Sequence, residues 1–216
     1  MRSYGQYCAL AKALDVIGDR WTLLIVRELT LRGACRYTDL RDGLPGIATN
    51  LLADRLRELE RTDVVSRREA PPPVATTLFE LTERGRALSP VLHEIGRWGV
   101  ELMVSGPTPE DQFRSRWLTW PAELFLTDNE PQEPPVTLAL DAGGEPVVLE
   151  TADGHVHARM GAVENPDATL SGPPHALLGV LSGHLDLDSA RSLGLEYRGS
   201  PRVLARVRPH ATAGSP

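Results

Sequence analysis

The chain has 216 residues, 41% of them apolar and 24% charged, with a formal net charge of −6 and only two cysteines. That apolar content supports a buried core in one large domain or two small ones and excludes wholesale disorder. Cys8 and Cys35 are too few for a disulfide scaffold or a four-ligand zinc site. Apolar runs such as Leu23 to Val26 are too short to span a bilayer, and the N-terminus lacks the apolar core and cleavage site of a secretion signal, so a soluble cytoplasmic protein without membrane partners is expected. Charge is uneven: residues 1–104 hold 15 basic against 14 acidic side chains, residues 105–216 hold 8 against 15. A near-neutral half can bind nucleic acid if its arginines share a face, whereas the acidic half is repelled by phosphate.

In chain order, Leu10, Ala13, Leu14 and Ile17 have helical spacing, and Gly18-Asp19 breaks that helix. A second helix is predicted from Trp21 to Leu31, with Trp21, Leu24, Ile25 and Leu29 on one face and Gly33 as its stop. Thr38 is the expected cap of a short third helix reaching Leu44, before the Pro45-Gly46 turn. A fourth helix is predicted over Thr49–Arg61 with Leu52, Leu56 and Leu59 buried. Two strands, Val64–Glu69 and Thr76–Leu81, flank a proline tip at residues 71–73 and form a hairpin. Thr82 then caps a helix whose apolar positions Leu88, Val91, Leu92, Ile95, Trp98 and Leu102 repeat at helical period.

Helix, short helix, turn, helix and hairpin is the order of a winged helix-turn-helix. The fourth helix presents Thr49, Asn50, Ala53, Asp54 and Arg57 opposite its leucine stripe, with Arg55 at the flank. Short polar residues at the N-terminal end suit a helix entering the major groove, where they reach base edges. Arg67 and Arg68 on the hairpin are placed for phosphate or minor-groove contact. An ordinary amphipathic helix with a solvated face is the competing explanation for the fourth helix alone.

The segments CALAKALDVIGDRWTLLIVREL, RYTDLRDGLPGIATNLLADRLRELE and LTERGRALSPVLHEIGRWG resemble, in order and spacing, the HxlR family of winged-helix regulators, over roughly Tyr4 to Met103. The resemblance implies a homodimer built from the first and last helices of the domain, here through Leu10, Leu14, Leu92, Ile95, Trp98 and Leu102, on a pseudo-palindromic duplex operator. Ala48 stands where the family commonly has a serine cap. Thr49 is the alternative cap, which would shift the helix start by one residue. Cys8 matches a cysteine that many members use to sense oxidants or electrophiles. Its helix N-terminus and Lys12 four residues on favour a thiolate, while a small buried residue near the dimer seam is the bland alternative.

Residues 105–109 read as a linker, and residues 110–127 as a helix with Phe113, Trp117, Trp120 and Leu124 on one side, kinked or restarted at Pro121. Strands follow at Val136–Leu140, Pro146–Thr151, His155–Met160 and Ala168–Ser171, with Gly143-Gly144 and Asp153-Gly154 as turns, then helices at Pro174–Leu181 and Pro201–Val207. His155 and His157 share a face without an evident third metal ligand. The segment ENPDATLSGPPHALLGVLSGHLDLDSARSLGLEYRGSPRVLARV resembles the C-terminal part of a sterol carrier protein-type lipid-binding domain. That resemblance implies a cavity lined by Leu177, Leu178, Leu181, Leu193, Leu195 and Leu204, although an ordinary core needs most of the same residues.

The expected fold class is α+β: a winged helix-turn-helix at 1–104, a linker and connecting helix at 105–135, a sheet covered by helices at 136–208 and a flexible tail at 209–216. The expected function is a dimeric DNA-binding regulator responsive to a small hydrophobic effector. A regulator sensing through Cys8 and a hydrophobic-ligand carrier without DNA binding are the alternatives. No catalytic constellation, metal or cofactor site is expected.

Overall fold

The computed structural model describes residues 3–71, 75–103 and 106–209. Pro72 and Pro73 of the hairpin tip, Ser105 of the expected linker and residues 210–216 of the expected tail lie outside them. The chain divides into two compact units, Met1–Ile95 and Gly96–Pro216.

The first unit runs α1 (Ala9–Ile17), α2 (Thr22–Arg32), β1 (Cys35–Arg36), α3 (Tyr37–Asp42), α4 (Thr49–Arg61), β2 (Val65–Glu69), β3 (Thr77–Leu81), α5 (Glu83–Arg86) and the start of α6 (Ser89–Val100). Its sheet has the order β1-β3-β2, antiparallel throughout, with Arg67 opposite Phe79 and Cys35 opposite Phe79 from the other side. The two-residue β1 was not legible in the sequence. Ile25, Val26, Leu29, Leu40, Leu52, Leu56 and Leu59 are buried. Leu24, expected on the inner face of α2, is 41% exposed, and Val26 and Glu28 take the inward positions. Thr38 does not cap α3, because that helix starts one residue before it; Asp39 reaches back to accept the Arg36 N–H at 2.9 Å. Thr82 does cap α5, accepting the Gly85 N–H at 3.0 Å. The long helix expected from there breaks after Arg86 and restarts at Ser89, beside Pro90, which has no N–H for a continuous helical ladder.

A carboxylate lies at the centre of the α2–α3 contact. Glu28 is fully buried and accepts from Arg27 Nη2 at 2.8 Å and Arg32 Nε at 3.2 Å. Arg27 Nη2 also donates to the Gly43 carbonyl at 3.4 Å, and Arg32 reaches Asp42 at 3.4 Å. A Cβ on Gly43 would collide with the Glu28 carboxylate. Glycine is therefore required where α3 ends against this carboxylate.

In the second unit a 3-10 turn at Ser115–Leu118 leads into α7 (Thr119–Phe125), followed by β4 (Leu126–Asp128), β5 (Thr137–Asp141), β6 (Val147–Ala152), β7 (His155–Met160), β8 (Ala168–Ser171), α8 (Pro174–Leu181), α9 (Leu187–Ser192), β9 (Glu196–Gly199), α10 (Pro201–Arg206) and β10 (Val207–Pro209). Residues 110–114 are not helical, and Pro121 lies in the first turn of α7, where a missing N–H is tolerated. The tighter 3-10 start turns Leu118 and Ala122 inward. Phe113, Trp117, Trp120 and Leu124 are consequently only half-buried. The main sheet has the order β7-β6-β5-β8-β9, with β5 and β8 parallel and the other pairs antiparallel. Asp153 (φ 52°) and Gly154 (φ 80°) both take the left-handed conformation that a two-residue hairpin turn needs. Leu138, Leu140, Leu149 and Leu170 pack with Leu118 and Ala122 of the α7 region, Leu177 and Leu181 of α8, Ala190 of α9 and Val203 of α10 in one apolar core.

A second, smaller sheet pairs β4 with β10. Arg206 and Asp128, 4% exposed each, form a two-pronged ion pair at 2.7 and 2.9 Å there. The remaining Arg206 donors meet the Pro134 and Glu133 carbonyls at 2.6 and 3.2 Å. The Arg206 hydrogen bonds hold the Asp128 carboxyl below its ordinary pKa.

Glu28→Ala removes the carboxylate shared by two arginines and leaves a cavity, and should cost about 2–5 kcal/mol, while Gly43→Ala should cost about 1–3 kcal/mol by overpacking, both read as shifts in urea unfolding of the first unit. Arg206→Ala should cost about 3–5 kcal/mol in the second unit. Because the folded Asp128 pKa is depressed, its stabilisation is present above its unfolded value of about 3.9 and lost as pH falls through the folded one. Acid titration of unfolding should show that loss in the native protein and not in Arg206→Ala.

Candidate nucleic-acid interface

The Pro45-Gly46 turn delivers the chain to α4, whose N-cap is Ala48 at φ −71°, ψ 140°. The Ala48 carbonyl accepts the Leu52 N–H at 3.0 Å, so Thr49 is the first helical residue and not the cap. The methyl group of Ala48 offers no acceptor, and the first turn carries no acidic residue. Tyr37, at the start of α3, donates its hydroxyl to the Thr49 carbonyl at 2.6 Å.

Burial of Leu52, Leu56 and Leu59 leaves Thr49, Asn50, Asp54 and Arg57 exposed, with Ala53 half-buried. Arg57 pairs with Asp54 one turn back at 2.8 Å. Arg55 does not join this face: it is half-buried and ion-paired with Asp19 in the α1–α2 connection, which ties α4 to the scaffold. Its guanidinium is thus engaged within the fold, unlike the exposed side chains of Thr49, Asn50 and Arg57. On the hairpin, Arg67 and Arg68 are exposed, bridged to Glu60 at 3.2 Å and Glu80 at 3.3 Å. Sequence reasoning passed over Arg20, Arg36 and Arg41, all exposed. Arg20 stacks over Trp21 at 5.6 Å, and Arg36 and Arg41 bracket the short α3. Their position beside the helix-turn-helix was the available signal.

Two apolar ridges are exposed. Leu10 and Leu14 on α1 continue a line from Tyr7, and Ile95, Trp98 and Leu102 continue one from Val91, with Trp98 73% and Leu102 70% exposed. Leu92 is not part of that ridge: it points inward and is 5% exposed within the chain itself. Cys8 is the N-cap of α1 and fully accessible. The backbone N–H groups of Ala11 and Leu10 lower its thiol pKa, without either closing a full capping hydrogen bond. Lys12 gives less support than expected, since its ammonium is paired with Asp15 at 3.8 Å. Cys35 is buried in β1.

In the second unit, Leu177, Leu181 and Leu195 are core residues, Leu178 and Leu204 pack at the core's margin, and Leu193 is 43% exposed and lines no interior. A cavity of about 230 Å³ lies elsewhere, lined by Phe113, Arg114, Ser115, Arg116, the 142–145 turn and Met160. His155 and His157 are exposed with ring centroids 6.4 Å apart. Among the described residues no group of three or more potential metal ligands exists, and no helix is long and apolar enough to cross a membrane.

The HxlR-like helix-turn-helix family model matches residues 16–106. The HTH-type transcriptional regulator YvaP of Bacillus subtilis (strain 168) is 39% identical over 90 residues, covering 42% of this chain and 82% of the relative. YodB, an HTH-type transcriptional regulator of the same organism, is 32% identical over 99 residues, covering 46% of this chain and 88% of its own. The solved reduced form of B. subtilis YodB is 31% identical and covers 47% of this chain and all of that one, with a TM-score of 0.41. On the match to these transcriptional regulators, with the winged helix-turn-helix built as described, the chain belongs to the HxlR-like helix-turn-helix family of DNA-binding transcription regulators.

Proposed function

We propose that two copies of the chain bind a pseudo-palindromic duplex, each reading base edges with Thr49, Asn50 and Arg57 of α4 while Arg67 and Arg68 of the hairpin hold backbone phosphate. The carrying observation is the polar, solvent-facing side of α4, opposite a stripe of buried leucines. Side chains at such positions confer sequence preference, whereas hairpin arginines add sequence-independent attraction. The exposed ridges of Leu10 and Leu14 and of Ile95, Trp98 and Leu102 are the surfaces for the second copy, because aromatic and aliphatic patches of this kind mark association sites.

The second unit is the effector module in this reading. Its support is the sequence resemblance alone: the leucines expected to line a cavity, Leu193 apart, pack in or against the core, and the open depression at Phe113 and Met160 is walled largely by polar groups, among them Arg114, Ser115, Arg116 and Glu145. A small hydrophobic molecule bound to this unit would change DNA affinity only by preferring one state of the dimer. Cys8 supports a second mode of control, since its thiol is exposed and its pKa lowered by the α1 backbone.

Asn50→Ala and Arg57→Ala should each weaken binding to a preferred duplex by about 1–3 kcal/mol, and Arg68→Ala should weaken all duplexes alike with a shallower salt dependence. Titrations in two salt concentrations check this; unaltered preference in both α4 variants would overturn the assignment. Light scattering should give a dimer at micromolar concentration, and Trp98→Glu should give a monomer. Native mass spectrometry of the full chain should detect a bound small hydrophobe. Alkylation of Cys8 should accelerate with pH through a midpoint below that of free cysteine, with Cys35 unreactive until unfolding; a midpoint at the free-thiol value would remove the Cys8 reading.

A further inference from the structure

The longest described helix, α4 with 13 residues, begins without a side-chain cap, as do α1, α2, α7 and α8, whereas α5, α9 and α10 have one from Thr82, Asp186 and Ser200. An uncapped first turn frays, because its N–H groups have no intrahelical acceptor. Here that turn holds Thr49 and Asn50, the positions read as base-contacting. Fraying there would blur the geometry on which sequence discrimination depends, because base readout requires fixed donor and acceptor directions.

One contact holds the backbone of that turn in place, by tethering a carbonyl and not by accepting from its N–H groups. The Tyr37 hydroxyl reaches across the helix-turn-helix to the Thr49 carbonyl at 2.6 Å. Tyr37 is half-buried, and the start of its own helix is fixed by the Asp39 carboxylate on the Arg36 N–H. The bond therefore joins the first residue of α3 to the first residue of α4, and sets the distance between the two helix starts. We propose that Tyr37 is a positioning residue for sequence recognition, its hydroxyl fixing the first turn of α4 that Ala48 leaves without a side-chain cap.

The proposal rests on α4 being the base-reading helix, so the test carries a control for that reading. A duplex is selected from a randomised pool with the native protein, and binding to it is compared with binding to a scrambled duplex. Tyr37→Phe should lower affinity for the selected duplex about threefold to tenfold, the loss of one net hydrogen bond. It should leave the scrambled duplex unchanged and lower the melting temperature only by the few degrees that one net hydrogen bond is worth. Adding Ala48→Ser supplies a side-chain cap, so Tyr37→Phe/Ala48→Ser should regain most of the preference, while Ala48→Ser alone should change little. Equal losses on both duplexes, a larger fall in melting temperature without rescue, or a silent Tyr37→Phe beside a responsive Asn50→Ala would each overturn the proposal. An unresponsive Asn50→Ala would instead overturn the reading of α4 itself.

Discussion

A single fully buried carboxylate organises the DNA-binding unit. Glu28 draws Arg27 and Arg32 onto α2, and the same group of charges takes up the Gly43 carbonyl and Asp42 at the end of α3. A buried charge is tolerated only when its partners are complete, so this cluster has one arrangement. Its geometric consequence is larger than its energy: it fixes where α3 stops, and so where the 43–48 turn starts and where α4 emerges. Leu40, Leu44 and Ile47 then close the turn by burial. The apolar core supplies most of the stability, and the carboxylate supplies the register.

The second unit uses the same device at a different place. Its core is aliphatic and would accept many arrangements of the final helix, but Arg206 offers its donors to Asp128, Pro134 and Glu133 together. That requirement pins α10 and lets the last residues pair as β10 with β4. In each unit a short-range polar lock specifies what apolar burial leaves undetermined.

Much of this was legible in the sequence where local signals agreed. The bounds of α4 followed from Pro45-Gly46 and the leucine repeat, and the Asp153-Gly154 hairpin from turn chemistry. Partners distant along the chain were not legible. Arg55 looked like part of the DNA-facing surface because nothing near it in sequence announces Asp19. Leu92 fitted the apolar period of the exposed ridge but lies one position off it, facing the core. The strands β4 and β10 depend on pairing across most of the second unit, and no local pattern encodes that. The leucines assigned to a cavity could equally serve a core, and residues of one chemical type carry no mark of which they do.

The arginines proposed to meet DNA have a shared property with a kinetic meaning. Arg57, Arg67 and Arg68 each already hold a carboxylate, from Asp54, Glu60 and Glu80. Each contact uses one guanidinium nitrogen, so a phosphate can be met by the remaining donors while the neighbouring carboxylate weakens the attraction. Arginines partly neutralised in this way attract random sequence less than free ones would, by an amount that salt modulates. The molecule would accordingly hop between stretches of duplex with brief residence on each, and linger only where base contacts compensate for the weaker attraction. On the proposed reading of this face, the carboxylates beside the arginines temper adhesion to random duplex.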